Sequence, residues 1–188
     1  APTIYRSINA IKYYRLFNIS SNSKLTVKNL ILKGGNVDFC DLRNYNTPSC
    51  RGGTIFIAGV GAQFKAYNSF IRNSFAKIGG GIFGIDEASV ELYNTVIENC
   101  AASVAGGAIC LLKESKLHLL QGTIIRLNKA GGMNNTNTNN NRPRRRILNN
   151  IAIVSNAGGG LYCSGSAVCT INASVVSDNE ASATGGGL

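Results

Sequence analysis

The 188-residue chain has no tryptophan, one methionine, one histidine and three prolines. Charged residues make up 15% of it, and only nine are acidic. So little charge excludes a coiled coil, and so little proline excludes a Pro-rich tail. A single histidine, His118, excludes a multi-histidine metal site. No run of 18 apolar residues occurs, so no segment spans a membrane as a helix. No basic-then-apolar leader opens the sequence at Ala1, and any signal peptide is expected to have been removed.

What is abundant is glycine, at 22 residues, and positive charge, with 19 Lys and Arg giving a net +10. The 44% hydrophobic content can fill the core of one domain of this length. Collagen would need glycine at every third position, and that pattern is absent.

The glycines instead recur in clusters. Gly52-Gly53-Thr54-Ile55, Gly79-Gly80-Gly81-Ile82 and Gly106-Gly107-Ala108-Ile109 begin 27 residues apart. Gly131-Gly132-Met133, Gly158-Gly159-Gly160-Leu161 and Gly185-Gly186-Gly187-Leu188 continue the series at nearly the same period. A second landmark places Asn three residues after an apolar residue, in Phe70–Asn73, Val96–Asn99, Ile125–Asn128, Ile153–Asn156 and Val176–Asn179. Short alternating runs precede it, such as Val90, Leu92 and Asn94, or Leu117, Leu119 and Gln121. Alternation with β-branched residues predicts strands, two or three to a repeat.

Such a unit cannot bury its own apolar face, so successive units must stack. The expected fold is all-β: a single-stranded parallel β-helix of about six coils of ~27 residues, with strands ~4.8 Å apart. Residues 1–188 are expected to form one domain. The glycine pairs suit corners that need positive φ or close backbone approach, and the asparagines suit turns whose side-chain amides stack. Leu16-Phe17-Asn18-Ile19 and Lys24 to Gly35 read as an earlier coil.

The GGxI clusters and the FxxN-type Phe70–Asn73 resemble the repeats of the chlamydial polymorphic outer-membrane proteins. Arg15 to Ile19 through Lys33-Gly34-Gly35 is similar to the first coil of many surface proteins of the pectin-lyase-like class. The resemblance implies a right-handed parallel β-helix on a cell surface, a scaffold that serves adhesins, passenger domains and carbohydrate-active enzymes alike.

One segment breaks the pattern. Asn134 to Arg146 reads NNTNTNNNRPRRR and has no apolar residue, so it predicts an exposed insertion. Strand pairing is expected to resume at Ile147-Leu148, aligned with Val90-Glu91. Arg142, Arg144, Arg145 and Arg146 make this loop a candidate site for an anionic ligand such as an acidic polysaccharide, or for cleavage; a solvated insertion without a partner is the plainer reading. Residues 1–78 hold 11 basic and two acidic residues, so most of the charge lies there and in the loop. No nucleic-acid-binding motif accompanies it and aromatic residues are only 7%, so nucleic acid is not an expected partner.

The six cysteines fall as Cys40/Cys50, Cys100/Cys110 and Cys163/Cys169. Local disulfides within each pair are expected, since Cys110 and Cys163 would stand two coils apart, ~9.6 Å along the axis. No CxxC exists to favour zinc. Disulfides imply an oxidising compartment. Asn18, Asn134 and Asn172 begin N-glycosylation sequons, and Thr136 and Thr138 are candidates for O-linked sugar.

Carbohydrate-cleaving β-helices need clustered carboxylates. The best constellation is Glu87 and Glu114, each ninth in its repeat, beside Asp86 and Lys113. Both lie in turn-like contexts, and His118, flanked by Leu117 and Leu119, is expected to point outward without a nucleophile partner. No active site and no cofactor are therefore expected. The function expected is that of a non-enzymatic extracellular structural glycoprotein, a rod in a surface filament, coat or wall. Its partners would be further coils of the same protein or end-to-end copies, as the last Gly185–Leu188 cluster opens another repeat. A surface adhesin or glycan-binding passenger is the alternative, and a polysaccharide lyase or hydrolase ranks below both.

Overall fold

A computed structural model describes residues 14–37, 48–131, 158–182 and 186, together with the backbone of 3–5, 145–148 and 151–154. Apart from a single 3-10 turn at Pro48–Cys50, the regular structure among the described residues is all strand. The chain passes repeatedly through four parallel sheets. The first pass contains β2 (Phe17–Ile19), β3 (Lys24–Lys28) and β4 (Ile31–Lys33), preceded by β1 (Thr3–Tyr5), which pairs with β4. The second contains β5 (Ile55–Ala58), β6 (Gln63–Tyr67), β7 (Phe70–Arg72) and β8 (Phe75–Ile78). The third contains β9 (Ile82–Ile85), β10 (Ser89–Tyr93), β11 (Val96–Glu98) and β12 (Ala101–Ala105). The fourth contains β13 (Ile109–Leu112), β14 (Lys116–Leu120), β15 (Ile124–Arg126) and β16 (Lys129–Ala130). After the hairpin of β17 (Arg145–Leu148) and β18 (Ile151–Val154), a fifth pass follows with β19 (Leu161–Ser164), β20 (Val168–Ile171), β21 (Val175–Ser177) and β22 (Glu180–Ala181).

Sheet I is ordered β2-β5-β9-β13-β19, sheet II β3-β6-β10-β14-β20, sheet III β1-β4-β7-β11-β15-β21 and sheet IV β8-β12-β16-β22. From the second pass on, each thus holds four strands rather than the two or three expected, because the five-residue strand and the three-residue strand after it are split by a corner. The register is continuous, as in Phe64↔Val90↔Leu117↔Cys169 of sheet II. Alternation then does the rest. Val90, Leu92 and Ile97 point into one apolar cluster with Phe64, Leu117, Leu119 and Ile125, all buried. The result is compatible with a solenoid whose core runs along the stack.

Corners are made at positive φ, mostly by Asn, Asp and Gly, which tolerate it. Between sheets II and III, Asn29, Asn68, Asn94 and Gln121 take it; between III and IV, Gly34, Asn73, Asn99, Leu127 and Asp178 do. Ser69, Thr95 and Thr123 follow the first of these corners with buried hydroxyls that donate to Tyr67, Tyr93 and Leu120 carbonyls. Between IV and I stands the glycine pair. Gly79 has φ +64, and a Cβ on Gly80 would come well inside 3.0 Å of the Gly107 and Ala101 carbonyl oxygens.

Several expectations need correction. The Asn landmark is two adjacent positions: Asn73 and Asn99 make the corner, whereas Asn128 and Asn179 stand one residue later, in register with Ser74 and Cys100. Consequently the inward residue before Asn73 and Asn99 is Ile71 or Ile97, two residues earlier, and Phe70 and Val96 face outward. Gly131 is not a stacked corner, since its N–H donates to Ala102 O and the Gly107 N–H finds its partner in Gly158 O. Ile147-Leu148 does not rejoin the stack. It pairs antiparallel with Ile151 and Ala152, and the strand that takes the place expected for it, in register with Val90-Glu91 through β14, is β20, at Cys169-Thr170. Ile153 is likewise part of this hairpin and not of the stack, and Asn156 lies outside the described residues; the hairpin lies beside β12.

Candidate functional surfaces

The expected site residues fall in different places. Asn18 is exposed on β2, and Asn172 is exposed at the corner after β20, where Ser174 Oγ donates to its carbonyl at 2.9 Å. Asn134, Thr136, Thr138, Arg142 and Arg144 lie outside the described residues. Arg145 and Arg146 belong to β17, opposite Val154 and Ile153, so they are strand residues and not part of a loop.

Cys163 and Cys169 are joined by a disulfide. They occupy the register of the inward-facing Leu111 and Leu117, so the bridge ties sheet I to sheet II across the fifth pass. Cys50 is disulfide-bonded, and Cys40 lies outside the described residues. The Cys100–Cys110 disulfide does not form; both are free and buried. The reason is sidedness. Cys100 belongs to the inner cluster, whereas Cys110, alternating with inward-facing Ile109 and Leu111, belongs to a second cluster on the outer face of sheet I. Burial pushes the Cys100 thiol up to about 12 and moves Cys110 in the same direction.

Glu87 and Glu114 do lie in adjacent passes. Glu87 N–H donates to Lys113 O at 3.2 Å, and Glu114 N–H to Gly165 O at 3.0 Å. Both are exposed at a corner with positive φ, and Lys113 Nζ is bound to Asp86 Oδ1 at 2.7 Å. The local αLαL turn turns these carboxylates into water, where a general acid has no dry environment. His118 is half-buried on β14 between buried Leu117 and Leu119, and so faces outward. No group of three or more His, Cys, Asp or Glu able to hold a metal occurs among the described residues. No described helix is long and apolar enough to cross a membrane.

Three outward-facing arrangements emerge only from the register. On sheet II, Glu91 accepts from Lys65 Nζ at 2.9 Å, Gln63 Nε2 at 3.0 Å and Tyr93 OH at 3.2 Å. The hydrogen bond to Glu91 raises the Lys65 pKa, and burial raises that of Tyr93. Tyr67 and Tyr93 stack at 4.6 Å with an interplanar angle of 9°, so they present edges rather than faces to solvent. On sheet I, Phe56 and Phe83 stack at 5.6 Å, with the Arg15 guanidinium 4.7 Å over Phe56 and that of Arg51 5.1 Å over Phe83. Arg15 also donates to Pro48 O, and burial followed by the neighbouring Arg51 depresses its pKa to about 10. On sheet III, Arg126 donates through Nε and NH2 to Glu98 Oε2 at 3.1 and 2.9 Å. The signal for these pairs was the same ~27-residue offset that revealed the glycines: Phe56 to Phe83 and Tyr67 to Tyr93.

Comparison with known protein families, with curated proteins and with solved structures finds no match.

Proposed function

We propose that the protein is a non-enzymatic extracellular rod, a parallel β-helix serving in a surface filament, coat or wall. Five stacked passes are described, and the glycine and FxxN-type repeats of the sequence resemble those of the pectin-lyase-like and polymorphic-outer-membrane-protein classes. The observation that carries this reading is the continuous register of four parallel sheets around one apolar core. Side chains that elsewhere would build a site are spent on holding one pass to the next: Glu91 on Lys65, Glu98 on Arg126, Asp86 on Lys113 and Glu180 on Lys129. A disulfide across the fifth pass is compatible with an oxidising, extracellular setting, and the exposed Asn18 and Asn172 are open to glycosylation.

Assembly is proposed to proceed end to end, the basic first passes against the acidic last one, where Asp178 and Glu180 stand without a Lys or Arg in residues 158–188. Electron microscopy of the purified protein over a concentration series tests this. Fibres or short stacks of end-joined rods are expected; monomers at every concentration contradict assembly. The alternative, an adhesin or glycan-binding passenger, is favoured by an outward-facing apolar column on sheet III, Ile31, Phe70, Val96, Ile124 and Val175, in which Phe70 and Val175 are exposed.

A further inference from the structure

We propose that Tyr67 and Tyr93 form an oxidative cross-linking site: one-electron oxidation of both phenols, by a peroxidase using hydrogen peroxide, joins them as dityrosine and ties the second pass to the third. The proposal needs the register of sheet II and not end-to-end assembly, so it stands or falls separately from the filament.

Tyr67 ends β6, Tyr93 ends β10, and the two are register partners. Strands ~4.8 Å apart set their outward side chains one above the other. The ring centroids are 4.6 Å apart and the planes 9° from parallel. Stacking alone does not call for tyrosine, since Phe56 and Phe83 stack on sheet I at 5.6 Å without hydroxyls. Both tyrosines are half-buried, so an oxidant in solution reaches the pair.

What sheet II adds to the stack is a base. Tyr93 OH donates to Glu91 Oε2 at 3.2 Å, while Lys65 Nζ and Gln63 Nε2 hold the same carboxylate at 2.9 and 3.0 Å. A phenol that has lost an electron is a very strong acid, so electron and proton leave together. A carboxylate already hydrogen-bonded to the hydroxyl takes that proton without rearrangement. Tyrosine is also what an outside oxidant meets first. The chain has no tryptophan, and the free thiols among the described residues, Cys100 and Cys110, are buried.

The unpaired electron of a tyrosyl radical is shared with the ring carbons ortho to oxygen, in orbitals perpendicular to the ring. In a face-to-face pair those orbitals point at the partner, so coupling needs the rings to close together and not to turn. A Cε–Cε bond forms, the protons on those two carbons leave, and each oxygen regains one. In all, the pair gives up two electrons and two protons, which reduce one hydrogen peroxide to two waters. No third ring competes in the column. The other register neighbour of Tyr67 is Lys28, whose Nζ stands 5.3 Å over the ring, and that of Tyr93 is Leu120. Each radical therefore has its partner fixed within the same molecule, which favours coupling at any dilution.

The test is treatment of the full chain, at low micromolar concentration, with a haem peroxidase and hydrogen peroxide. Dityrosine fluorescence and mass spectrometry of tryptic peptides are the readouts. Peptides 66–72 and 78–113 each contain a single tyrosine, so their linked product, lighter by two hydrogens than the sum, reports this bond alone. That product is expected, in a protein still monomeric on a denaturing gel. Tyr67→Phe and Tyr93→Phe keep the stacked rings, and each is expected to lower dityrosine in the monomer at least about tenfold, because the fixed partner is lost. Glu91→Gln is expected to slow the linking severalfold with an unchanged circular dichroism spectrum. Any of three results overturns the proposal: no linked 66–72 and 78–113, dityrosine carried mainly by dimers as collision through the exposed Tyr14 would give, or undiminished monomer dityrosine in Tyr93→Phe. A Glu91→Gln rate equal to wild type overturns the part given to the carboxylate.

Discussion

Asn128 and Asn179 are 51 residues apart in sequence and joined through one amide: the Asn128 backbone N–H and its Nδ2 both donate to Asn179 Oδ1, at 3.0 and 2.9 Å. Asn128 repeats the arrangement one pass earlier, where its Oδ1 accepts the Cys100 N–H at 2.9 Å. Each amide also donates to a carbonyl of the preceding pass, Asn128 to Ile97 O and Asn179 to Ile125 O. The chain between them leaves the stack and returns in register.

Removing a link of this ladder strands buried donors. Asn128 is 1% exposed, so Asn128→Ala leaves the Cys100 N–H and Ile97 carbonyl without partners and costs about 2–3 kcal/mol. Denaturant titration of the variant against wild type measures it; a change below about 0.5 kcal/mol contradicts the ladder's role.

The glycine corners separate into two kinds. Gly80→Ala drives a Cβ into the Gly107 and Ala101 carbonyls and is expected to destabilise by about 3 kcal/mol or more, or to prevent folding. Gly34 needs its positive φ but has open space, and its register mate is Asn73, so Gly34→Asn is expected to stay within about 0.5 kcal/mol of wild type. Melting temperatures of the two variants decide between these outcomes.

Leu127 sits at φ +55 with 52% of its surface exposed, at the corner position held by Asn73, Asn99 and Asp178 in other passes. A leucine gains nothing there and pays the steric cost of the left-handed region. Leu127→Asn is therefore expected to stabilise the protein by about 1 kcal/mol, read as a rise in the denaturation midpoint.

The free thiols make a prediction about alkaline pH. Burial raises Cys100 to about 12 and moves Cys110 upward, so the folded chain holds those protons more tightly than the unfolded chain. That stability is fully present below the unfolded thiol range of roughly 8.5 and is lost as pH rises toward the folded values. Unfolding free energy should fall between about pH 9 and 12 in wild type and fall less in Cys100→Ala. Among the described cysteines, neither free thiol should react with a thiol reagent in the native state, and both should after denaturation.

Much of this fold was legible in the residues. Period-27 glycines and alternation such as Val90-Glu91-Leu92 carry the stacking and the inward faces, because burial acts on every second side chain whatever the tertiary context. What sequence spacing could not separate was adjacent positions. Asn99 and Asn128 look alike as letters, yet one is chosen for its backbone and the other for its side-chain amide. Likewise Cys100 and Cys110 are ten residues apart, but a sheet stands between their side chains. The outward ladders of Tyr67 with Tyr93 and Glu98 with Arg126 depend on register, which composition does not carry.

The most direct test of the stacked architecture is to delete residues 133–156. Six residues, 103–108, separate Ala102 from Ile109; the deletion likewise leaves six, 131, 132 and 157–160, between their register mates Ala130 and Leu161. The measurement is thermal unfolding followed by far-ultraviolet circular dichroism, with the state of Cys163 and Cys169 determined by mass spectrometry. Stacked passes with an insertion predict a folded protein with a β spectrum, one cooperative transition and an intact Cys163–Cys169 disulfide. A chain that no longer folds cooperatively, or that loses that disulfide, contradicts it.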